Sequence, residues 1–242
     1  MNKRFEVPDD LTIFRYMDFS KFMDLLENKK LFFCNSKYFE DEYEGKRPEG
    51  FFKAQREGGG ADKNKRNSGA ADPHYGIYIS CWNADKLESY ALWKIFTTPG
   101  TGIAIKTKVG NLKKALSNDD IKIFKTEYIK SFHGGNENLE LPLYYRYRGE
   151  GCSPLNRRIA EAYKSGCYEF ENEVRAIFVD DKIQSGKSFE VDINTLIDEI
   201  YISPYSSGWF ESLIEKIKNN AQYHISDKPI KKSKILLRKN GG

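Results

Sequence analysis

The sequence predicts an α+β fold with a mixed, mostly antiparallel sheet as its core and short flanking helices. Three observations carry that reading. Short runs rich in β-branched and aromatic residues, bounded by turn residues, outnumber the helical stripes. The helical stripes are brief and do not alternate regularly with the strands, as a βαβ fold would require. No internal repeat is present. At 242 residues, 39% hydrophobic and 31% charged, the chain can bury one substantial core, so residues 1–242 are expected to form a single domain.

Residues 11–17, Leu-Thr-Ile-Phe-Arg-Tyr-Met, read as the first strand. A helix follows, capped by Asp18 or Ser20, with Phe19, Phe22, Met23, Leu25 and Leu26 forming its apolar stripe. Residues 31–34 give a second strand, and 35–45 a polar, acidic loop. Residues 57–72 consist largely of Gly, Lys, Asn and Ala without periodicity, which predicts a mobile insertion. Strands are expected at 75–82, 103–106 and 121–128, with helices at 88–96 and 109–116 between them. Residues 133–154 read as a loop and 157–163 as a helix leading to a long strand from Tyr168 to Val179. Further strands are expected at 188–191, 199–202 and 234–237, and a helix at 209–217.

Composition narrows the function. A net charge of +4 excludes a global polycation, so any basic site must be local. The N-terminus lacks the apolar segment of a signal peptide, and no apolar run approaches membrane-spanning length. Cys34, Cys81, Cys152 and Cys167 lack metal-type spacing and read as buried thiols of a cytoplasmic protein. His74, His133 and His224 are scattered, which offers no support for a zinc cluster. Phosphate-binding glycine signatures and Ser-His-Asp or Cys-His arrangements are absent.

The chemistry is concentrated around residues 168–179. Read as extended chain, that stretch places Glu169, Glu171, Glu173 and Arg175 on one face and Tyr168, Phe170, Val174, Ala176 and Phe178 on the core face. Either the acidic face is fully wet with Arg175 as its counter-ion, or it presents a carboxylate pair into a cleft. Arg15 sits in an apolar strand and needs an anion, which would be Glu171 or Glu173 in a structural role and a substrate phosphate in a functional one. Trp82, Tyr90 and Trp93 fit either the core or a stacking wall for a planar ring. Tyr144-Tyr145-Arg146-Tyr147-Arg148, followed by Arg157 and Arg158, interleaves rings with cations as single-stranded nucleic-acid sites do, or forms a surface loop of cation–π pairs.

Several of these pieces fall into one order. Phe14-Arg15-Tyr16, Phe39-Glu40-Asp41-Glu42-Tyr43-Glu44, Ser80-Cys81-Trp82, Leu92-Trp93, Gly102-Ile103-Ala104-Ile105 and Glu171-Asn172-Glu173-Val174-Arg175 together resemble the bacterial domain-of-unknown-function family 2971 (DUF2971). The match departs from the family in the acidic loop, where its Asn and Pro are replaced, and in Val174, which stands at a Trp position. More remotely, an early-strand Arg followed by a late-strand Glu-x-Glu resembles the ADP-ribosyltransferase toxins. That resemblance implies an ADP-ribosyltransferase-like sheet and an enzyme using NAD as substrate without a metal. Glu173 would face the oxocarbenium-like charge that develops when the nicotinamide–ribose bond breaks, and Glu171 would deprotonate the nucleophile. Arg15 would hold the pyrophosphate, with Tyr16, Trp82 or Tyr90 stacking on a base. Tyr145, Arg146, Tyr147 and Arg148 would bind a nucleic-acid acceptor, RNA ahead of single-stranded DNA. The biological role implied is that of a toxin or phage-defence effector, and with a toxin comes an antitoxin protein as partner. Two alternatives stand beside it. One is a magnesium-dependent nuclease using Glu171, Glu173 and an acidic residue of 41–44; the other is a non-catalytic nucleic-acid-binding module.

Overall fold

The computed structural model describes residues 6–41, 76–129, 162–180, 182 and 184–235. Eleven strands and five α-helices are formed among them. β1 (Thr12–Asp18) leads into α1 (Phe19–Asn28) and β2 (Lys30–Asn35); β3 (Ile77–Asn83), α2 (Tyr90–Phe96), β4 (Gly102–Lys108) and α3 (Val109–Leu116) follow. Then come β5 (Lys122–Lys125), β6 (Glu127–Ile129), β7 (Tyr163–Ser165), β8 (Glu173–Val179), β9 (Gly186–Glu190), α4 (Ile193–Leu196), β10 (Glu199–Ile202), α5 (Gly208–Lys218) and β11 (Ile230–Lys232).

The fold class expected from the sequence is the one found. Nine strands form one sheet, in the order β11-β10-β4-β1-β3-β2-β9, with β8 on β3 and β5 on β8. Every pairing in it is antiparallel except β10 with β11, and β6 and β7 form a separate parallel pair. Among the described residues no helix is long and apolar enough to cross a membrane.

Strand alternation divides the side chains between two faces. One face carries Ile13 and Met17 of β1, Ile103 and Ile105 of β4, Trp82 of β3 and Val174 and Ala176 of β8. Phe22, Leu25 and Leu26 of α1, Val109 and Leu112 of α3, and Phe210 and Ile214 of α5 complete this principal core. Each fully buried side chain of this kind contributes ~1.5–3 kcal/mol, which is why these amphipathic helices lie on the sheet. The opposite face holds two smaller clusters: Phe14, Tyr16, Ala104 and Tyr201 under Leu92 and Trp93 of α2, and Ile77, Ile79, Phe124, Ala162, Tyr163 and Ile177.

Several local expectations are corrected. Asp18 stands at the N-cap of α1, yet its side chain caps nothing there; its carboxylate instead accepts from the Thr98 N–H at 2.6 Å and the Thr98 hydroxyl at 2.8 Å, tying β1 to the turn after α2. The strand expected at 121–128 breaks at Thr126, whose N–H turns to the Glu173 carbonyl. Tyr163, expected to end a helix, begins β7. Among the described residues the last strand is Ile230–Lys232; Lys234 and Ile235 of the strand expected at 234–237 are not in a strand, and 236–237 lie outside the described residues. Cys167 is exposed and Cys34 and Cys81 are only half-buried, against the expectation of buried thiols. The insertion expected at 57–72 and the loop at 133–154 lie outside the described residues, as does Cys152.

Gly102 opens β4 where the chain passes closest to Thr97. A Cβ placed there would lie 2.5 Å from the Thr97 hydroxyl and 2.6 Å from its Cβ, and Thr97 is held by a 2.6 Å bond from its hydroxyl to the Trp93 carbonyl. Gly102→Ala should therefore lower stability by about 1–3 kcal/mol, read as a lower urea midpoint at constant m-value. An unchanged midpoint would show that Thr97 swings clear.

Candidate active site

The Glu-x-Glu stretch is not one strand. Residues Gly166–Glu171 form a 3-10 turn, Asn172 adopts a left-handed backbone at φ 40°, and β8 begins only at Glu173. Asn is among the residues that tolerate this conformation, because its short polar side chain bonds locally. Here the Asn172 amide donates to Asp85 at 2.8 Å, and its carbonyl accepts from the Ala84 N–H at 2.8 Å. Asn83 fixes the same corner, its amide donating to the Glu171 carbonyl at 2.7 Å and to Asp85 at 3.0 Å. The corner separates what a continuous strand would have kept together. Glu169 is exposed and Phe170, expected on the core face, is 46% exposed. Glu171 and Glu173 are both buried.

Two cations meet that pair. Arg175, two residues along β8 and fully buried, donates from Nε to Glu173 Oε2 at 2.5 Å. Lys164 reaches it from β7, its ammonium lying against Glu171 Oε2 and 3.3 Å from Glu173 Oε1. Beside Lys164 in the small sheet stands Tyr128, its register partner on β6, whose hydroxyl accepts from the Glu173 N–H at 2.8 Å. The face is neither wet nor empty: the carboxylates are buried and matched.

The two carboxyls differ in proton affinity. Burial, a hydrogen bond to Glu173 and repulsion from its charge raise Glu171 to about 7, against the pull of Lys164. Burial acts on Glu173 as well, but Arg175 and Lys164 outweigh it and bring Glu173 down to about 2. Burial and the Glu173 charge push the Tyr128 hydroxyl upward. Near neutral pH the site thus holds one fixed carboxylate and one carboxyl able to give or take a proton, the division of labour that acid–base catalysis uses.

Arg15 lies elsewhere. β8 pairs with β3 along its whole length, so β1 and β2 share the other edge of β3: Phe14 pairs with Asn83 at one end, Cys34 and Asn35 with Ile79 and Tyr78 at the other. Between them the edge is unpaired and the sheet splits. Arg15 stands at this split, half-buried, donating to the Ser80 hydroxyl and, at 3.3 Å, to the Phe32 carbonyl, with its guanidinium 5.6 Å from the centre of the Trp82 ring. Among the described residues no carboxylate pairs with it, and burial pushes it down to about 10. It remains a cation at neutral pH and retains its capacity for an anion. The internal pairing with Glu171 or Glu173 expected on structural grounds does not occur, because Phe14, Asn83 and Glu173 lie in line across three strands and so share a face, whereas Arg15 points to the other.

The remaining expected residues separate likewise. Trp82 is 1% exposed in the principal core, its indole N–H donating to Ser80 at 3.2 Å, so it supports Arg15 and presents no open stacking face. Tyr16 lies on the Glu173 side, buried, edge-on to Trp93 at 5.0 Å and accepting from the Ser89 N–H at 2.8 Å. Tyr90 on α2 is 49% exposed beside Tyr205, with Lys94 near both rings. Tyr145, Arg146, Tyr147 and Arg148 lie outside the described residues. Sequence reasoning missed Lys164 and Tyr128. Charge balance offered a signal for the first: with two carboxylates and only Arg175 beside them, a second cation was required, and Lys164 is close upstream.

No protein-family model and no curated protein matches the chain. The likeness to domain-of-unknown-function family 2971 therefore rests on the ordered motifs alone. Among solved structures, Thermus sp. 2.9 DarT in complex with carba-NAD+ aligns over 94% of this chain and 97% of its own, at 12% identity and a TM-score of 0.40. At that similarity the site has to be read from this chain's own side chains.

The raised Glu171 has a consequence for stability. A carboxyl that binds its proton more tightly when folded contributes stability that is complete below the unfolded value near 4.5 and is lost as pH rises through about 7. Glu173, shifted the other way, changes nothing in that window. Between pH 5 and pH 8 the wild type should lose about 1–3 kcal/mol relative to Glu171→Gln, measured by urea unfolding at both pH values. Parallel pH dependence in the two proteins would place the Glu171 proton affinity back in the ordinary range.

Proposed function

We propose that the chain is an NAD-dependent ADP-ribosyltransferase acting on a nucleic-acid acceptor. The observation that carries this reading is the Glu171–Glu173 pair, one carboxyl poised near neutrality and the other held ionised. Breaking the nicotinamide–ribose bond develops positive charge on the ribose. Glu173 supplies the fixed negative charge, and Glu171 accepts the proton of the incoming nucleophile. Arg15, a cation without a carboxylate partner among the described residues, fits phosphate oxygens and is assigned to the pyrophosphate. Because Arg15 and Glu173 face opposite ways, a dinucleotide reaching both must pass round the strand ends, where Asn83 closes β3 and Glu173 opens β8. Tyr90, exposed on α2, remains the candidate ring contact on the Glu173 side, whereas Tyr16 is buried against Trp93.

Metal-dependent nuclease chemistry at the same carboxylates is disfavoured by Lys164, whose ammonium lies against an oxygen of each where a divalent ion would have to sit. A second reading has its own observation: both oxygens of Glu173 are already engaged, which suits a structural clamp in a non-catalytic nucleic-acid-binding module.

Labelled NAD incubated with separate RNA, single-stranded DNA and protein pools decides between them. Glu173→Gln, assayed as folded protein, should abolish NAD cleavage and transfer, while Glu171→Gln should keep slow NAD hydrolysis and lose transfer. Wild-type activity in folded Glu173→Gln would assign the residue to the clamp. Arg15→Lys keeps the charge but loses the planar fork, so it should weaken NAD binding with a nearly unchanged melting temperature. A large loss of stability with NAD affinity intact would instead make Arg15 a structural residue. Arg146→Ala with Arg148→Ala should weaken nucleic-acid binding and flatten its salt dependence while sparing NAD hydrolysis; label appearing only on protein would overturn the acceptor.

A further inference from the structure

We propose that Lys164 is a positioning residue of the acid pair, its ammonium bridging Glu171 and Glu173 from the small β6–β7 sheet. The inference rests on reading that pair as the active site, but its structural basis is independent of the substrate. Lys164 is 7% exposed, and a buried ammonium is retained only where anions meet it. It touches both carboxylates, which arrive from different elements, the 3-10 turn and β8. The Tyr168 ring lies 4.6 Å from its nitrogen.

Several of the described elements contribute to the local charge. β6 brings Tyr128, the turn brings Tyr168 and Glu171, β8 brings Glu173 and Arg175, the corner brings Asp85 through Asn83 and Asn172, and Asp41 acts on Tyr168. Arg175 reaches Glu173, so the cation shown against Glu171 is Lys164. Removing it leaves Glu171 facing the Glu173 charge with burial unchanged, and the proton on Glu171 becomes harder to remove. Lys164 thereby sets the pH at which Glu171 becomes a base.

The test uses protein labelled with 13C at the glutamate side-chain carboxyl and 15N at the lysine side-chain nitrogen, with Glu171→Gln and Lys164→Arg assigning the signals. Lys164→Met should raise the midpoint of the Glu171 carboxyl titration by about one pH unit or more, and Lys164→Arg should restore it to within a few tenths. If NAD is cleaved, the acidic limb of the pH–rate profile should move by the same amount. A folded Lys164→Met protein that titrates as wild type overturns the proposal, as does a failure of Arg to restore the midpoint. Should Lys164→Met not fold, the wild type decides: the Lys164 nitrogen signal should change with the midpoint of the Glu171 carboxyl, and its indifference to that titration overturns the proposal. Intact coupling with no NAD cleavage would instead remove the transferase reading alone.

Discussion

The site depends on one buried ion pair. Glu173 is the first residue of β8 and Arg175 the third, and both side chains lie on the sheet face that carries the two smaller apolar clusters. A buried charge left unpaired costs ~3–5 kcal/mol, so each member holds the other in place. That pair creates the field in which everything nearby titrates. It holds Glu173 as an anion, whose charge adds to burial in raising Glu171, while Lys164 pulls Glu171 the other way. The small β6–β7 sheet docks through the same pair, because Tyr128 and Lys164, side by side in its register, take the Glu173 N–H and carboxylate respectively.

Most of the secondary structure was legible because its signals are local. The apolar stripe of α1 and the alternation of β1 and β3 each depend on residues within one element, and these elements form within two residues of where the sequence places them. The corner at Asn172 was not legible. Glu169, Glu171, Glu173 and Arg175 alternate as a strand should, yet the bonds that break the strand come from Asn83, Ala84 and Asp85, some ninety residues earlier. Tertiary contacts overrode the local period. The result retained the important neighbours and discarded the rest: Glu171 and Glu173 stay adjacent, Glu169 faces solvent and Phe170 leaves the core.

Arg15 shows the same limit from another side. Its sequence context calls for an anion, since a lone guanidinium among Phe14, Tyr16 and Met17 has little to satisfy it. Which anion it takes depends on topology. The bridge from Phe14 through Asn83 to Glu173 sets the phase of three strands at once, and that phase turns Arg15 away from both glutamates. A shift of one residue in the pairing would have turned Arg15 to the face that carries Glu173. That no described carboxylate pairs with Arg15 is thus a consequence of register.

The two halves of the candidate site differ in how they were secured. The acid pair is enclosed by cations, a phenol and an aromatic ring, all with partners, so its protonation is set before any substrate arrives. Arg15 is held by a hydroxyl, a carbonyl and the Trp82 ring, all of them uncharged, at an edge of β3 that neither β1 nor β2 covers. Among the described residues its charge is therefore oriented by neutral groups and met by no carboxylate. The proposed activity asks a buried carboxyl pair on one face and an oriented cation on the other to share a ligand with an anionic segment several bonds from its reactive carbon. A substrate small enough to fit beside Glu173 alone would leave Arg15 without a role.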